Sequence, residues 1–292
     1  MIIEISKLHM SCLVAVAVLV GGQVGIFCQQ KSTPSFNPDS LALSISPEKL
    51  RSDGQFDVSS VKELNDIFED FDLSETKDVP RLYLAKLPKS MKKLPKRGKR
   101  GAKATFIKAV LPHILQVNAD VLKDRNKLLD LQKKQMGGKK LSTGEKLWVS
   151  KLGSHYRCAP KIRTLLAHVD VVPPSLALAQ AGLESGWGTS PAALTKNSTF
   201  GHMKTSTKVA AFPTLLHNVT AYIHNLNRNK AYKGFRARRA ALRSQGGTPS
   251  GHALATELTK YSVRGKNYTR DLQNMIKSQN LNQYDKASLA TI

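Results

Sequence analysis

Apolar residues recur at helical spacing through most of the chain. The segment TFIKAVLPHILQVNADVLKDRNKLLDL places Phe106, Val110, Ile114, Val117 and Val121 three and four residues apart. This is the period of one face of an α-helix. Runs that alternate between apolar and polar residues, as strands do, are few. The pattern therefore predicts an all-α or mainly α fold.

Local signals place further elements along the chain. Pro112 lies inside the long helical run and predicts a kink or a split there. Ser142 and Glu145 have the spacing of a capping box that opens a helix. Only the segment 200–212 has the character of a short β-hairpin. Additional helices are predicted at 214–227, 230–244, 251–260 and 266–279.

The N-terminal segment has the pattern of an export signal. No charged residue occurs between Lys7 and Lys31, and the intervening run is apolar. Small residues precede Gln23, where a signal peptidase would cut. An uncleaved anchor is the alternative, because a spanning helix needs about 20 apolar residues. We expect an exported protein of the periplasm or cell envelope, with inner-membrane anchoring through this segment left open.

Composition limits the class of protein. The chain has 292 residues, of which 41% are hydrophobic and 23% are charged. These values exclude a fibrous, a multi-span membrane or a wholly disordered protein. Three cysteines exclude a disulfide scaffold and a four-cysteine zinc site. No histidine spacing of the H-E-x-x-H type occurs, so we expect neither a metal nor a cofactor.

Charge is distributed unevenly. Residues 31–80 carry 5 Lys/Arg and 11 Asp/Glu, whereas residues 81–292 carry 39 and 9. A domain this basic seeks a polyanion, such as nucleic acid, an anionic membrane surface or the cell wall. No zinc finger, RNP motif or helix-turn-helix signature is present. Together with the export signal, this argues against nucleic acid and for an extracytoplasmic polyanion.

One carboxyl group has the surroundings of a catalytic acid. Of the nine acidic residues after position 80, Glu184 and Glu257 lack a simple explanation, with Asp170 as an outsider. Glu184 falls near the C-terminal end of a predicted helix, among glycines, with Trp187 one turn beyond. Desolvation against an aromatic wall raises the pKa of a carboxyl group, which then donates a proton to a glycosidic oxygen. The alternative role for Glu184 is a structural cap or an ion pair.

A longer series of segments resembles a known family. ALAQAGLESGWGTS followed by NSTFGHM resembles the glucosaminidase domain of glycoside hydrolase family 73. AYIHNLNRNKAYKGFRARRAALR and LATELTKYSVRGKNYTRDLQNMIKSQNL resemble the family's later helices and its terminal Tyr-bearing segment. Upstream helices resemble those of the Bax-like subgroup of exported bacterial proteins. The resemblance covers roughly residues 79–284.

The resemblance implies a fold, a substrate and a set of site residues. The fold would be lysozyme-like, with two helical lobes, at most a short hairpin and preceding N-terminal helices. The substrate would be peptidoglycan, cut after N-acetylglucosamine. Glu184 matches the catalytic acid, and Tyr261 matches a tyrosine that lies near the acid and helps to place the sugar or water. Tyr268 matches the second tyrosine, and Phe200 and Gly201 match the Phe-Gly pair that shapes the groove.

Three further residues have two readings each. Glu257 is a candidate second carboxylate, although the substrate's own acetamido group is an alternative. Trp187 serves either the core or a wall on which a sugar stacks. Tyr222 serves either helix packing or the lining of the groove.

The organisation and function follow from these points. We predict a peptidoglycan hydrolase, an endo-β-N-acetylglucosaminidase. The alternatives are lytic transglycosylase cleavage on the same fold and a non-catalytic wall-binding module. The predicted parts are a signal or anchor at 1–28, an acidic Ser/Pro-rich tether at 29–80, a basic helical region at 81–160, a glucosaminidase-like catalytic domain at 161–284 and a tail at 285–292.

Overall fold

The computed structural model describes most of the chain after the apolar N-terminal segment. The described residues belong to one compact unit. The predicted leader or anchor lies outside them. Among the described helices, none is both long enough and apolar enough to cross a bilayer. The described residues are Ile45, 47–74, 76–95, Gly98 and 101–291.

The fold is mainly α, as the apolar spacing predicts. Ten α-helices occur within the described residues. The described residues form isolated β-bridges and no β-strand. The hairpin predicted within 200–212 amounts to one antiparallel bridge between Met203 and Val209. The helices are α1 (Val61–Ile67), α2 (Ala102–Met136), α3 (Thr143–Tyr156), α4 (Ile162–His168), α5 (Pro174–Ser185), α6 (Pro191–Lys196), α7 (Leu215–Arg228), α8 (Lys233–Ser244), α9 (Gly251–Ala255) and α10 (Lys266–Ser278).

Helix α2 is the centre of the fold. It runs unbroken for 35 residues, so Pro112 does not split it. Between Ala102 and Val121 it is buried on nearly all sides, and it packs against α4, α5 and α7. Its C-terminal third buries only Leu128 and Leu131. It contacts α3 through Lys134, which pairs with Glu145, and through Lys127, which lies over the Trp148 ring. The capping box that opens α3 is present, as its spacing predicts.

The acidic segment before α2 is folded where the structure describes it. Phe56, Leu64, Phe68 and Phe71 are all buried. The last three are spaced three and four residues apart in and after α1, so an acidic stretch still presents one apolar face. The sequence predicts a tether over 29–80, because the many acidic residues of this segment obscure the apolar face.

Residues 285–290 are hydrogen-bonded to segments that are distant in the sequence. The amide of Val79 donates to the Ser288 carbonyl at 2.8 Å, and the amide of Ala290 donates to the Val79 carbonyl at 2.9 Å. The Asp285 carboxylate accepts from the amide of Ser175 at 2.9 Å and from the first amide of α9 at 3.1 Å. The residues that the sequence predicts as a tail therefore fasten the start of α5.

A buried carboxylate joins α2, α8 and the segment before α5. Asp170 accepts two hydrogen bonds from Arg243, at 2.9 and 2.7 Å. Arg125 and Arg239 approach the same carboxylate at 3.5 and 3.8 Å. Arg239 is itself fully buried, and its guanidinium donates to an amide oxygen and several carbonyl oxygens. The acceptors are the side chain of Asn227 and the backbone carbonyls of Ala167, His168, Asp170 and Val171. The Asp170 carboxylate is structural, because it is the acidic partner of three arginine side chains.

Candidate active site

Helix α5 positions the predicted acid. It begins with Pro174 in its first turn and is buried almost throughout, so its orientation is fixed by packing. Gly186 ends it in the left-handed conformation, at φ 58°. Glu184 occupies the last turn and is partly exposed. A rigid helix thus presents one carboxyl group at its end.

Three hydrogen bonds lead from the core to this carboxyl group. The Tyr222 hydroxyl donates to Gln180 Oε1 at 2.7 Å. Gln180 Nε2 donates to the Tyr268 hydroxyl at 3.0 Å. That hydroxyl donates to Glu184 Oε1 at 2.8 Å. Each of these groups donates one hydrogen bond to the next group in the chain. The hydrogen bonds therefore hold the Glu184 carboxyl group in position from the core side.

The surroundings of Glu184 favour its neutral form. Burial raises the pKa of this carboxyl group above its ordinary value. The hydrogen bond from Tyr268 and the positive charge of Arg264 oppose the shift without cancelling it. Raised pKa values of this origin are typical of general acids.

The second oxygen of Glu184 faces a glycine. A Cβ placed on Gly201 would lie 2.7 Å from Glu184 Oε2. Gly201 also has φ +66°, a conformation that side chains disfavour. The Phe-Gly pair predicted to shape the groove therefore lies directly against the acid.

Tyr261 holds the loop that carries this glycine. Its hydroxyl donates to the Phe200 carbonyl at 2.7 Å. Its ring stacks on Tyr268, with centroids 5.7 Å apart and planes 4° from parallel. The structure thus brings Tyr261 to the site, with its hydroxyl bonded to backbone.

Phe200 and Tyr222 lie behind the site. Both are 0% exposed, and their rings stack at 3.9 Å. A ring without exposed surface makes no contact with a sugar. Of the two roles considered for Tyr222, the structure favours helix packing over the lining of the groove, because its ring packs on Phe200 and its hydroxyl donates to Gln180.

Trp187 is partly exposed at the turn after α5. Its indole covers Gly182, where an added Cβ would lie 2.8 Å from the ring. It also meets the Phe106 ring edge to face at 6.1 Å. Part of the indole is therefore occupied by packing, and the residue as a whole stays partly exposed.

The Glu257 carboxylate lies against Gly234 in the first turn of α8, where a Cβ would come within 2.8 Å of Oε2. Among the described residues, no hydrogen bond or ion pair joins it to Glu184. The structure does not bring the two carboxylates together through a direct contact.

Gln180 is the residue that sequence reasoning missed. It connects Tyr222 and Tyr268 and thereby orients the acid. The sequence does contain a signal for this role of Gln180. It precedes Glu184 by four residues, and helical residues at this spacing share a face. An amide on an otherwise apolar helix face marks a site of this kind.

The fold and the desolvated carboxyl group together are typical of α-helical glycosidases, whose acid protonates a leaving oxygen. Among the described residues, no cluster of three or more His, Cys, Asp or Glu side chains is arranged to hold a metal ion.

Comparison with known proteins identifies the family. A family model described as mannosyl-glycoprotein endo-beta-N-acetylglucosaminidase, the glucosaminidase domain, matches residues 159–281. Protein bax of Escherichia coli (strain K12) is 34% identical over 187 residues, covering 58% of this chain and 67% of that protein. The chain belongs to the glucosaminidase family, and its helical domain is lysozyme-like. Membership supports glycoside hydrolase activity and implies a peptidoglycan substrate.

Replacing Gly201 with alanine tests the space beside the acid. We expect Gly201→Ala to lower glycan cleavage on the order of a hundredfold, because the methyl group displaces Glu184 from its working position. Gly246→Ala is the matched control, since Gly246 has φ +75° but no atom within 4 Å of an added Cβ. It introduces similar backbone strain and should leave the rate unchanged. Equal losses of activity in both variants would trace the effect to strain alone.

Proposed function

We propose that the protein is a peptidoglycan hydrolase, an endo-β-N-acetylglucosaminidase in which Glu184 is the general acid. The observation that carries the proposal is the desolvated Glu184 carboxyl group, oriented by Tyr268 at Oε1 and packed close to Gly201 at Oε2. A carboxyl group with a raised pKa keeps its proton to a higher pH and donates it to the glycosidic oxygen as the bond breaks.

The hydrogen bonds assign the two oxygens of the acid different roles. Oε1 accepts from Tyr268. The transferable proton is therefore carried by Oε2, the oxygen that faces Gly201. We infer that the scissile oxygen approaches Oε2, and that any side chain at position 201 would displace this oxygen.

We infer a route that uses the substrate as its own nucleophile. Glu257, the candidate second carboxylate, packs against Gly234 and makes no hydrogen bond or ion pair with Glu184 among the described residues. The acetamido group of N-acetylglucosamine supplies a nucleophile in such cases. Attack on C1 by its carbonyl oxygen breaks the bond to the leaving oxygen, which takes the proton of Glu184. Water then opens the cyclic intermediate and returns a proton to Glu184.

A reaction in which Glu184 is the only carboxyl group that acts also fits a second candidate, lytic transglycosylation. There a hydroxyl group of the substrate itself attacks, and one carboxyl group again serves both proton transfers. The products separate the two reactions, because only hydrolysis leaves a reducing N-acetylglucosamine end and only transglycosylation leaves an anhydro-muramyl end.

Product analysis on purified peptidoglycan tests the proposal. Full-length protein should release soluble fragments with reducing N-acetylglucosamine ends, identified by mass spectrometry. Anhydro-muramyl ends would assign the second reaction. A protein that pellets with the wall but releases nothing would be a binding module, contrary to the proposal.

Substituting Tyr268 tests the acid through its pH profile. Burial raises the pKa of Glu184, and the Tyr268 hydroxyl opposes this by stabilising the charged form. Tyr268→Phe removes the opposition, so the pKa rises further. Activity requires protonated Glu184 and falls as pH passes its pKa, so we expect the alkaline limb of kcat/KM to move up by about one pH unit. Tyr261→Phe removes a bond to backbone only and should leave the limb in place. An unmoved limb in Tyr268→Phe would mean that another group sets it.

We also propose that the protein acts outside the cytoplasm. The apolar N-terminal run after Lys7 supports export, and peptidoglycan lies there. Immunodetection of the full-length protein in fractionated cells tests this, with a cytoplasmic signal as the contrary result.

A further inference from the structure

The hairpin formed by α2 and α3, with the start of α4, is strongly basic. Between Leu131 and Val169 the chain carries nine Lys/Arg and one acidic residue, Glu145. Both oxygens of Glu145 accept from Lys134, at 2.9 and 2.8 Å. The same carboxylate caps the start of α3 through the Ser142 amide. The one acid in this stretch is therefore committed to Lys134 and to the start of α3.

A pocket opens in this basic region. It has a volume of about 470 Å³, within the range of ligand-binding pockets. Three cationic residues line it together with four apolar and three neutral polar ones, and the lining contains no acid. The cations are Lys146, Lys161 and Arg163, and the apolar residues are Leu141, Val149, Pro160 and Ile162.

The three cations of the pocket lack protein partners. Lys146, Lys161 and Arg163 are exposed, and within the described ranges none of their side chains takes part in an ion pair. By contrast, Lys127 lies over the Trp148 ring at 4.3 Å and Lys134 is bound to Glu145. Some lysines of the hairpin therefore stabilise the fold. Lys146, Lys161 and Arg163 instead line the pocket.

Two large apolar side chains of the same hairpin are exposed. Met136 is 83% exposed at the end of α2, and Leu147 is 55% exposed in the first half of α3. Each is the chain neighbour of a residue that lines the pocket, Gln135 and Lys146 respectively. Large apolar side chains held in water beside unpaired cations fit a surface that has both negative charge and an apolar interior.

We propose that this face, formed by Met136, Leu147, Lys146, Lys161 and Arg163, docks on an anionic lipid bilayer. The pocket takes the phosphate of one lipid headgroup, and the two apolar side chains enter the boundary between headgroups and acyl chains. Lys or Arg near an anionic membrane and buried apolar surface act together in peripheral binding. Cell-wall polymers and nucleic acids also carry negative charge, but they offer no apolar layer for Met136 and Leu147.

Vesicle binding by the full-length protein tests the proposal. We expect co-sedimentation with vesicles of phosphatidylcholine and phosphatidylglycerol in equal parts, and far weaker binding to phosphatidylcholine alone. The triple variant Lys146→Ala, Lys161→Ala, Arg163→Ala should bind the anionic vesicles on the order of a hundredfold more weakly. The pair Met136→Ser, Leu147→Ser should lose about tenfold or more.

A charge-matched control separates this face from overall charge. Lys204, Lys208 and Lys277 are exposed elsewhere on the fold, and their triple alanine variant removes the same charge. It should retain most of the binding. All variants alter exposed side chains, and circular dichroism melts verify that each is folded.

Two results would overturn the proposal. The first is equal weakening in the pocket variant and the charge-matched control, which would leave only non-specific attraction. The second is binding of the parent to lipid-free purified wall, but not to anionic vesicles, that the pocket variant loses. That result would make the face a wall-binding surface. Since vesicles contain no glycan, neither result depends on the proposed hydrolase activity.

Discussion

Glu184→Gln should abolish most glycan cleavage while leaving the fold intact. Glutamine keeps the shape of the side chain and still accepts a hydrogen bond from Tyr268, but it has no proton to donate to a leaving oxygen. General acid catalysis contributes about 10²- to 10⁴-fold, and we expect a loss in kcat of that size. Release of soluble fragments from peptidoglycan over time gives the rate.

Glu257→Gln is the matched control for this experiment. Glu257 lies against Gly234, away from any contact with Glu184. We expect its variant to retain nearly full activity. Comparable losses in both variants would instead make Glu257 the second carboxylate, and the route through the acetamido group would be excluded.

Asp170→Asn should destabilise the protein by about 3–5 kcal/mol, the usual cost of removing one partner from a buried ionic network. Arg239 is 0% exposed, and it would remain without its counter-charge. Chemical denaturation, followed by circular dichroism, measures the loss. Asp271→Asn removes an exposed partner of Arg264 and should cost less than about 1 kcal/mol. A loss of similar size in both would place the Asp170 network among ordinary surface pairs.

The same network predicts a dependence of stability on pH. Burial raises the pKa of Asp170, but the hydrogen bond from Arg243 and the charges of Arg239 and Arg125 outweigh burial and lower it overall. A carboxyl group with a lowered pKa stabilises the fold above its unfolded value of about 3.9, and this is lost as pH falls through the folded value. The Asp170→Asn variant should therefore lose less stability than the parent on acidification below pH of about 4.

Sequence reasoning was successful where structure is local. The spacing of Phe106, Val110, Ile114, Val117 and Val121 predicted the buried face of α2, and all five are buried. Helices α7 to α10 lie close to their predicted positions, although α9 ends five residues early. Local backbone preferences and the period of apolar residues suffice for such elements.

The rest depended on contacts between distant residues. Asp170 meets Arg125 and Arg243 across three elements, and no spacing in the sequence connects them. The role of Gln180 required the positions of Tyr222 and Tyr268, which lie 42 and 88 residues away. Charge obscured the apolar face around Leu64, so a folded segment resembled a linker.

The pairing of residues 76–81 with residues 288–290 has a consequence for the order of folding. Arg81 donates to the Ala290 carbonyl across a separation of 209 residues, and Val79 bonds to the same short segment. Contacts this distant in sequence form late, because a long loop must close before they contribute any stability. During synthesis the partner of Val79 is made long after Val79 itself. The segment before α2 therefore completes its hydrogen bonds only after residues 288–290 have been made.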